Sequence, residues 1–285
     1  MGIVPTLKDF VKALVPKELW DKIPRGFDIV GSRSGAVAIV EIPPELEDYK
    51  VVIGEAIMKL NRHVRAVLRR VGAREGEFRL YKYEVLIPGP TEVVHKEDGY
   101  LIRVDPTKAY FSPRDQGDRE DIARQVMPGE VILYPFAGVG PYAVAILKRQ
   151  PLARLMIAIE LNEYAYNYML SNIKLNKLEG KVLPLLGDAA NLMGLFHNVD
   201  RVLLTLPLGA HKFLKQSLTC VKDGGLIHFY HLGTEEDPFS EAEDLVEKYC
   251  HELGLNCLVI NRRIIRDYAP RIFKVRLDIR VTNTV

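Results

Sequence analysis

A turn of small residues, Ala137-Gly138-Val139-Gly140, follows the apolar stretch 131–136, and a helical pattern begins at Tyr142. Glycines let the backbone approach a ligand that a Cβ would block. A second apolar stretch, 155–159, ends in Glu160, about 20 residues beyond the glycines, where a carboxylate can hold both hydroxyls of a ribose. This pattern predicts a nucleotide site; the alternative is a ligand-free turn with a solvated Glu160. The absence of Gly-Lys-Ser/Thr after the turn excludes a P-loop.

Polar residues also follow the other predicted strands of this part of the chain. Asn162 comes directly after the second strand, Gly187-Asp188-Ala189 ends the third, and Thr205-Leu206-Pro207 ends the fourth. Ligands of doubly wound sheets lie outside the carboxyl ends of the strands, so these residues are expected at one edge. Asp188 can accept a hydrogen bond from an adenine amino group, or it can cap a helix. As a set, the positions predict a site for an adenosyl cofactor.

The elements that must position these residues alternate from Val131 onward, which predicts a mostly parallel sheet with helices on both faces. The last two strands have no helix between them and can pair antiparallel, an arrangement typical of S-adenosylmethionine-dependent methyltransferases. The predicted strands are 131–136, 155–161, 181–187, 201–206, 225–232, 256–265 and 272–281; the predicted helices are 141–149, 163–176, 209–221 and 239–254. The fold class is therefore α/β, with a doubly wound, mostly parallel, seven-stranded Rossmann-like sheet in residues 106–285.

Residues 1–105 read as a smaller α+β module. The patterns predict short helices in 6–22, a hairpin at 27–30 and 36–42, a helix at 45–60, and strands at 79–86, 92–95 and 101–104. The polar segment 106–125 contains Tyr110-Phe111 and is expected to pack at the edge of the ligand site.

Composition narrows the class of protein. The chain has 285 residues, of which 48% are hydrophobic, and a net charge of +2, as expected for a globular protein that need not bind nucleic acid. The three cysteines, Cys220, Cys250 and Cys257, lack metal-binding spacing and predict ordinary thiols of a reducing compartment. No apolar run approaches a membrane span and no signal peptide is evident, which indicates a cytoplasmic protein.

Basic residues are concentrated in one segment, although the net charge of the whole chain is small. Residues 62–82 carry seven basic side chains against two acidic ones: Arg62, Arg65, Arg69, Arg70, Arg74, Arg79 and Lys82 against Glu75 and Glu77. This segment is either a solvated charged face or a surface that tracks the phosphates of a nucleic acid.

The chain resembles a known family, the archaeal and eukaryotic tRNA (guanine-37, N1)-methyltransferases. A sister enzyme is the aminocarboxypropyl transferase of wybutosine synthesis. The resemblance covers essentially residues 20–285. It is carried by RGFDIVG…AVAIVEIPPELEDYK (25–50), KAYFSPRDQGDR (108–119), FAGVGP (136–141), NIKLNKLEGKV (172–182), LPLGAHKFL (206–214), DGGLIHFYHLG (223–233) and RRIIRDYAPRIFKVRLDIRV (262–281).

The resemblance implies catalytic roles for four residues. Asp118 would take the N1 proton of guanine, and Arg79 would hold the base or its developing charge. Thr205 and Pro207 would lie next to the target base. The resemblance also implies S-adenosylmethionine as cofactor and no metal. The implied cofactor-binding residues are Tyr110, Ser112, Arg119, Phe136, Ala137, Gly138, Gly140, Glu160, Asn162, Asp188 and Ala189.

Three positions depart from the family pattern. Tyr134 stands where the family usually has Asp, Asp118 where it has Glu, and Thr205 where it has Asn. The first change removes an expected contact to the methionine end of the cofactor. The second keeps a carboxylate on a shorter side chain, and the third keeps a hydroxyl but loses an amide.

The implied function is methylation of guanine 37 of tRNA, flipped out beside the anticodon, with a wyosine-type intermediate as a further possible substrate. Docking of the tRNA would fall to segment 62–82 and to Arg262, Arg263, Arg266 and Arg271 of a monomeric protein. Pro207 and Arg114 favour methyl transfer over the alternative, aminocarboxypropyl transfer. The other hypotheses are a non-catalytic tRNA-binding protein and a small-molecule methyltransferase.

Overall fold

The computed structural model describes residues 6–75 and 80–283 and divides the chain into two compact units, Met1–Pro113 and Arg114–Val285. This division falls between residues 113 and 114, whereas the sequence placed a boundary after residue 105. Each unit has an apolar core of its own. Among the described residues, no helix is both long and apolar enough to cross a membrane.

The first unit is an α+β module, as predicted. Its elements are α1 (Leu7–Val11), β1 (Asp28–Ser32), β2 (Gly35–Val40), α2 (Lys50–Leu60), β3 (Val64–Glu75), β4 (Leu80–Ile87), β5 (Val93–Glu97) and β6 (Tyr100–Val104), with 3₁₀ turns at Lys17–Leu19 and Pro44–Tyr49. Four strands form a sheet in the order β1-β2-β3-β4, and β5 pairs with β6. Ile53 and Ile57 of α2 pack with Val67 of β3 in the core, because apolar residues recur along one face of the helix.

The second unit contains the predicted alternation. Its elements are α3 (Gln116–Gln125), β7 (Val131–Pro135), α4 (Pro141–Arg149), β8 (Leu155–Glu160), α5 (Glu163–Leu175), β9 (Val182–Leu186), α6 (Ala189–Leu192), β10 (Val199–Leu204), α7 (His211–Cys220), β11 (Val221–Thr234), α8 (Ser240–Leu253), β12 (Leu255–Ala269) and β13 (Ile272–Asn283). The central strands are buried on both faces, which explains their continuous apolar sequences.

Seven strands of this unit form one sheet in the order β12-β13-β11-β10-β7-β8-β9. The pairs from β11 through β10, β7 and β8 to β9 are parallel, while β13 runs antiparallel to both β11 and β12. The predicted sheet, with its reversed terminal hairpin, is therefore confirmed. The parallel order places the carboxyl ends of β10, β7, β8 and β9 side by side at one edge.

Strand β12 forms an outer edge of this sheet and is irregular. Its pairing with β13 shifts register between Val259 and Asn261, between Ile264 and Arg266, and between Asp267 and Ala269. It also exposes the side chains of Leu258 and Ile260.

Helix α3 was not predicted, because the sequence indicated only a polar segment there. The buried residues of this helix are Asp118, Arg119, Ile122 and Ala123, so half of its inward face is charged. Apolar periodicity, the usual sequence signal of a helix, is consequently absent.

The prediction that all three cysteines are thiols was wrong. Cys250, in α8, forms a disulfide with Cys257, in β12, and only Cys220 is a free thiol. The helix ends at Leu253 and Gly254 takes the left-handed conformation, with φ of 63°. This turn reverses the chain and brings the two Cα atoms to 6.2 Å, within the range that a disulfide requires. A spacing of seven residues in sequence carries no such signal.

We expect the double substitution Cys250→Ser/Cys257→Ser to lower the free energy of unfolding by about 2 kcal/mol, because the short loop gains freedom in the unfolded chain. Urea unfolding of both proteins, with and without reductant, measures the difference. Reductant should destabilise the wild type and leave the double variant unchanged. Equal stability of the two proteins under oxidising conditions would contradict the prediction.

Candidate functional site

The glycine-containing turn after β7 has the backbone shape that its sequence predicted. Phe136, Gly138 and Gly140 all have positive φ, at 60°, 56° and 79°. A Cβ on Gly140 would lie 3.0 Å from Cγ of Met169, so another residue would require that side chain to shift, and the left-handed φ favours glycine there. The Phe136 ring packs edge-on against the Phe213 ring, with the ring centroids 4.7 Å apart, and this contact holds the start of the turn.

Glu160 connects this turn to the end of β8. Its Oε2 accepts the Gly138 N–H at 2.6 Å, and its Oε1 accepts the Asn162 N–H at 2.7 Å. Burial raises the pKa of the Glu160 carboxyl, while the backbone hydrogen bonds oppose that rise. The carboxylate is thus oriented at the edge of the sheet, next to the turn, where a ribose acceptor was predicted.

Asn162 and Asp188 cap the two helices that follow β8 and β9. The Asn162 side chain accepts the N–H of Tyr164 at 2.9 Å, and Asp188 accepts that of Ala190 at 2.8 Å. Asn162 is buried, whereas Asp188 is exposed, and the adjoining Ala189 is buried at the start of α6. The capping alternative for Asp188 is therefore present in the structure. The cofactor contacts assigned to these three residues stay predictions.

Asp118 lies at the centre of a buried polar cluster. Its Oδ2 accepts the hydroxyls of Tyr142, at 2.5 Å, and of Tyr230, and its Oδ1 accepts a guanidinium N–H of Arg276. The Asp118 side chain is 2% exposed and that of Arg276 is fully buried. The carboxylate is consequently fixed in orientation by groups on α4, β11 and β13.

Arg276 also pairs with two other carboxylates. It donates to Asp121 Oδ2 at 2.5 Å and to Asp278 Oδ1 at 2.7 Å. A buried charge is tolerated only when it is paired and hydrogen-bonded, so these contacts secure helix α3 against β13. Sequence reasoning missed Arg276, Tyr142 and Tyr230, because a basic residue in a strand or a tyrosine in an apolar pattern gives no sign of its partner.

Tyr134 lies at the end of β7, and Thr205 directly follows the neighbouring strand β10. Burial raises the pKa of the Tyr134 hydroxyl, and the positive charge of Arg119 opposes that rise. Tyr134 and Arg119 are buried, and Thr205, Leu206 and Pro207 are partly exposed. Two of the positions that depart from the family pattern therefore lie at the ends of neighbouring strands.

Three predicted site residues cannot be placed at this edge. Arg79 lies outside the described residues. Tyr110 and Ser112 belong to the first unit, where Tyr110 is 38% exposed. Their roles stay predictions from the resemblance.

Six of the predicted RNA-docking arginines pair with carboxylates. In the basic segment, Arg69 contacts Glu47 and Glu84, and Arg70 contacts Asp28 and Glu41. In the second unit, the C-terminal pairs are Arg262 with Glu243, Arg263 with Asp121, Arg266 with Asp115, and Arg271 with Glu235 and Glu236. Well-exposed pairs such as Arg271 with Glu235 are weak and do not prevent an arginine from contacting a phosphate, whereas Arg266 is held by the buried carboxylate of Asp115.

The comparisons with known proteins decide the family. Residues 93–259, more than half of the chain, match the TRM5/TYW2 methyltransferase domain. The chain belongs to the TRM5/TYW2 methyltransferase family. Residues 7–91 match the TYW2 N-terminal domain. The resemblance and the methyltransferase fold predicted from the sequence are confirmed.

Three relatives illustrate the similarity. A tRNA (guanine(37)-N(1))-methyltransferase, Trm5b, of Pyrococcus abyssi is 37% identical over 270 residues, covering 94% of this chain and 78% of its own. A tRNA(Phe) (4-demethylwyosine(37)-C(7)) aminocarboxypropyltransferase of Pyrococcus horikoshii is 31% identical over 281 residues, covering 98% of each chain. The solved structure of P. horikoshii TYW2 in complex with MeSAdo has a TM-score of 0.81 at 29% identity, covering 99% of this chain and 100% of that one.

The contacts of Asp115, the residue immediately before helix α3, make the stability of the protein depend on pH. Asp115 accepts hydrogen bonds from Arg266 at 2.8 Å and Lys274 at 3.1 Å. Burial alone would raise the pKa of this carboxyl, but attraction to Lys274 and Arg266 outweighs burial and lowers the pKa from 3.8 to about 2. Because the folded-state pKa is depressed, the stabilisation is present above pH 4 and is lost as the pH falls to about 2.

We expect Asp115→Asn to lower the free energy of unfolding by about 3 kcal/mol at neutral pH, because Lys274 loses its buried partner. The difference in unfolding free energy between wild type and variant should narrow by about 2 kcal/mol as the pH falls from 4 to 2, since each pKa unit corresponds to about 1.4 kcal/mol. Urea unfolding across this pH range measures it. As a control, exposed Asp244→Asn should parallel the wild type. A pH-independent gap for Asp115→Asn would contradict the pKa assignment.

Proposed function

We propose that this protein is a tRNA (guanine-37, N1)-methyltransferase that uses S-adenosylmethionine. The observation that carries the proposal is the 37% identity to a methyltransferase of that specificity over 94% of the chain. Pro207 and Arg114, which favour methyl transfer, add support. We also propose that the protein acts in the cytoplasm and as a monomer.

The edge of the sheet fits an adenosyl group. Gly138 and Gly140 present backbone without a Cβ, and Glu160 is already oriented beside them by the Gly138 and Asn162 N–H groups. We assign the ribose to Glu160 and the adenine to Asp188 and Ala189, with Phe136, Ala137, Asn162 and Arg119 completing the pocket. When bound, S-adenosylmethionine supplies an electrophilic methyl group, so the protein needs no covalent nucleophile.

The remaining chemistry is removal of one proton. Guanine N1 carries a proton and becomes a good nucleophile only when that proton is removed. We assign Asp118 as the general base, because its carboxylate is held in place by Tyr142, Tyr230 and Arg276. The Thr205–Pro207 turn would support the flipped base, and Arg79 would stabilise negative charge on the guanine oxygen.

A second function has an observation in its favour. The match of residues 7–91 to the TYW2 N-terminal domain, and the 31% identity to the P. horikoshii aminocarboxypropyltransferase over 281 residues, favour transfer of the aminocarboxypropyl group to a position-37 base. This reaction uses the same cofactor, with attack on a different carbon of the sulfonium.

Labelled cofactor separates the two functions. The protein is incubated with unmodified phenylalanine-tRNA transcript, or with tRNA carrying 4-demethylwyosine, and with S-adenosylmethionine labelled on the methyl or on the carboxyl group. We expect methyl label in 1-methylguanosine of the unmodified transcript. Carboxyl label in pre-modified tRNA alone would establish the second function instead. Methyl label only in the pre-modified tRNA would identify a wyosine-type substrate, and transfer of neither label would refute both functions.

We expect Asp118→Asn to lower kcat by about 10²–10⁴-fold, the usual contribution of a general base, while cofactor affinity stays within about twofold. Single-turnover methylation and calorimetric titration with cofactor measure the two quantities. The matched control is Asp121→Asn, since Asp121 also pairs with Arg276 but lies 27% exposed. A similar loss of kcat in both variants would mean that Asp118 acts only by holding Arg276. A wild-type kcat for Asp118→Asn would exclude Asp118 as the base.

A further inference from the structure

Two tyrosine hydroxyls hold the carboxylate of Asp118 at one of its oxygens. Its Oδ2 accepts the hydroxyl of Tyr142, at 2.5 Å, and the hydroxyl of Tyr230. The two hydroxyl oxygens lie 3.3 Å apart, and the two rings pack edge-to-face with their centroids 6.4 Å apart. Because a carboxylate oxygen has two lone pairs, these two donors occupy Oδ2 completely.

The other oxygen of Asp118 is only half occupied. Within the part of the chain that the structure describes, Oδ1 accepts one hydrogen bond, from a guanidinium N–H of Arg276. A guanidinium carries donors and no acceptor, so Arg276 takes one lone pair of Oδ1 and cannot itself receive a proton. A proton can therefore bind the second lone pair of Oδ1 without breaking an existing hydrogen bond.

The surroundings of the two tyrosines keep their hydroxyls as donors. Tyr142 in α4 and Tyr230 in β11 are buried, and burial, together with the negative charge of Asp118, raises the pKa of each hydroxyl well above its ordinary value. Both hydroxyls consequently stay protonated. The other charged groups that act on the pair are Asp115, Arg119 and Arg276, with Lys274 Nζ 4.9 Å from the centroid of the Tyr230 ring.

We propose that Tyr142 and Tyr230 are positioning residues for proton removal, whose hydroxyls hold the ionised carboxylate of Asp118 and leave its Oδ1 to receive the proton. The inference deepens the proposed function and rests on it, because Asp118 is the general base only in that function. In this step the N1–H bond of guanine breaks, the proton binds Oδ1, and the electron pair stays on N1. The tyrosines neither gain nor lose a proton.

The test removes one hydroxyl at a time and keeps the ring. We expect Tyr142→Phe and Tyr230→Phe each to lower kcat about 5–10-fold at neutral pH, as loss of one orienting hydrogen bond would, with the KM for tRNA and the affinity for S-adenosylmethionine within about twofold of wild type. A hydrogen bond to a charged group favours the charged form, so its loss should also move the acid side of the kcat–pH profile to higher pH by about one unit. Single-turnover methylation across the pH range in which the protein is folded measures both effects.

A double-mutant cycle tests whether the tyrosines act through Asp118. In the Asp118→Asn background, Tyr142→Phe should lower kcat by less than about twofold, because the base that it orients is already missing. Equal losses in the wild-type and Asp118→Asn backgrounds would overturn the inference, since the tyrosine would then act independently of Asp118. An unchanged kcat in both single variants would also overturn it, as would a lower kcat with an unshifted acid side, which a merely structural role predicts.

The matched control is Tyr100→Phe, in β6 of the first unit. Tyr100 is buried, and its hydroxyl donates to Oε2 of the buried Glu97 at 2.7 Å, a tyrosine–carboxylate contact like those at Asp118. This variant should lose a similar amount of stability yet keep the wild-type kcat and pH profile. Thermal unfolding shows which variants are folded, and if either Tyr142→Phe or Tyr230→Phe fails to fold, the other provides the same test.

Failure of the inference can be told apart from failure of the proposed function. If wild-type protein places methyl label in 1-methylguanosine and both single variants do so with the wild-type kcat and pH profile, only the inference fails. If the wild type transfers no methyl label to guanine 37, the proposed function fails. The variants are then compared on whichever tRNA accepts a group, where unchanged kinetics would refute the positioning role as well; if no tRNA accepts a group, the inference fails together with the function.

Discussion

The second unit depends on one buried guanidinium. Arg276, in β13, faces carboxylates of Asp118, Asp121 and Asp278, and its side chain is shielded from water. Removing a charge from water costs several kcal/mol, which only close and well-oriented partners can offset. Helix α3 supplies two of those partners, so it must lie against β13. The position of Asp118 is thus a consequence of how this charge is accommodated.

The same constraint extends across the sheet. Asp278 Oδ1 lies 2.6 Å from Nδ1 of His228, and Nε2 of His228 lies 2.6 Å from Arg201, which pairs with Glu130 at 2.8 Å. Burial lowers the pKa of His228, although Asp278 opposes this. A neutral His228 that accepts from Arg201 must carry its proton on Nδ1 and donate it to Asp278. Charges thus alternate from the loop before β7 to helix α3.

The architecture could be predicted because its signals are local. Apolar runs, the Gly138–Gly140 turn and Glu160 lie where periodicity and strand ends place them. The interior of the site could not be predicted, because its signals are pairwise. Nothing in the sequence around Arg276, Tyr142 or Tyr230 indicates that each of them contacts Asp118. Helix α3 and the Cys250–Cys257 bond were missed for the same reason, since each depends on partners that only folding brings together.

The irregular outer strand β12 bears on how the protein behaves at high concentration. A long edge strand offers unpaired backbone groups to any other strand, and Leu258 and Ile260 would add apolar contact to such a pairing. The three register shifts of β12 each bend the strand and interrupt its ladder. A second chain could match only a few consecutive residues before the pattern breaks. The irregularity therefore protects an apolar edge from aggregation without requiring another element to cover it.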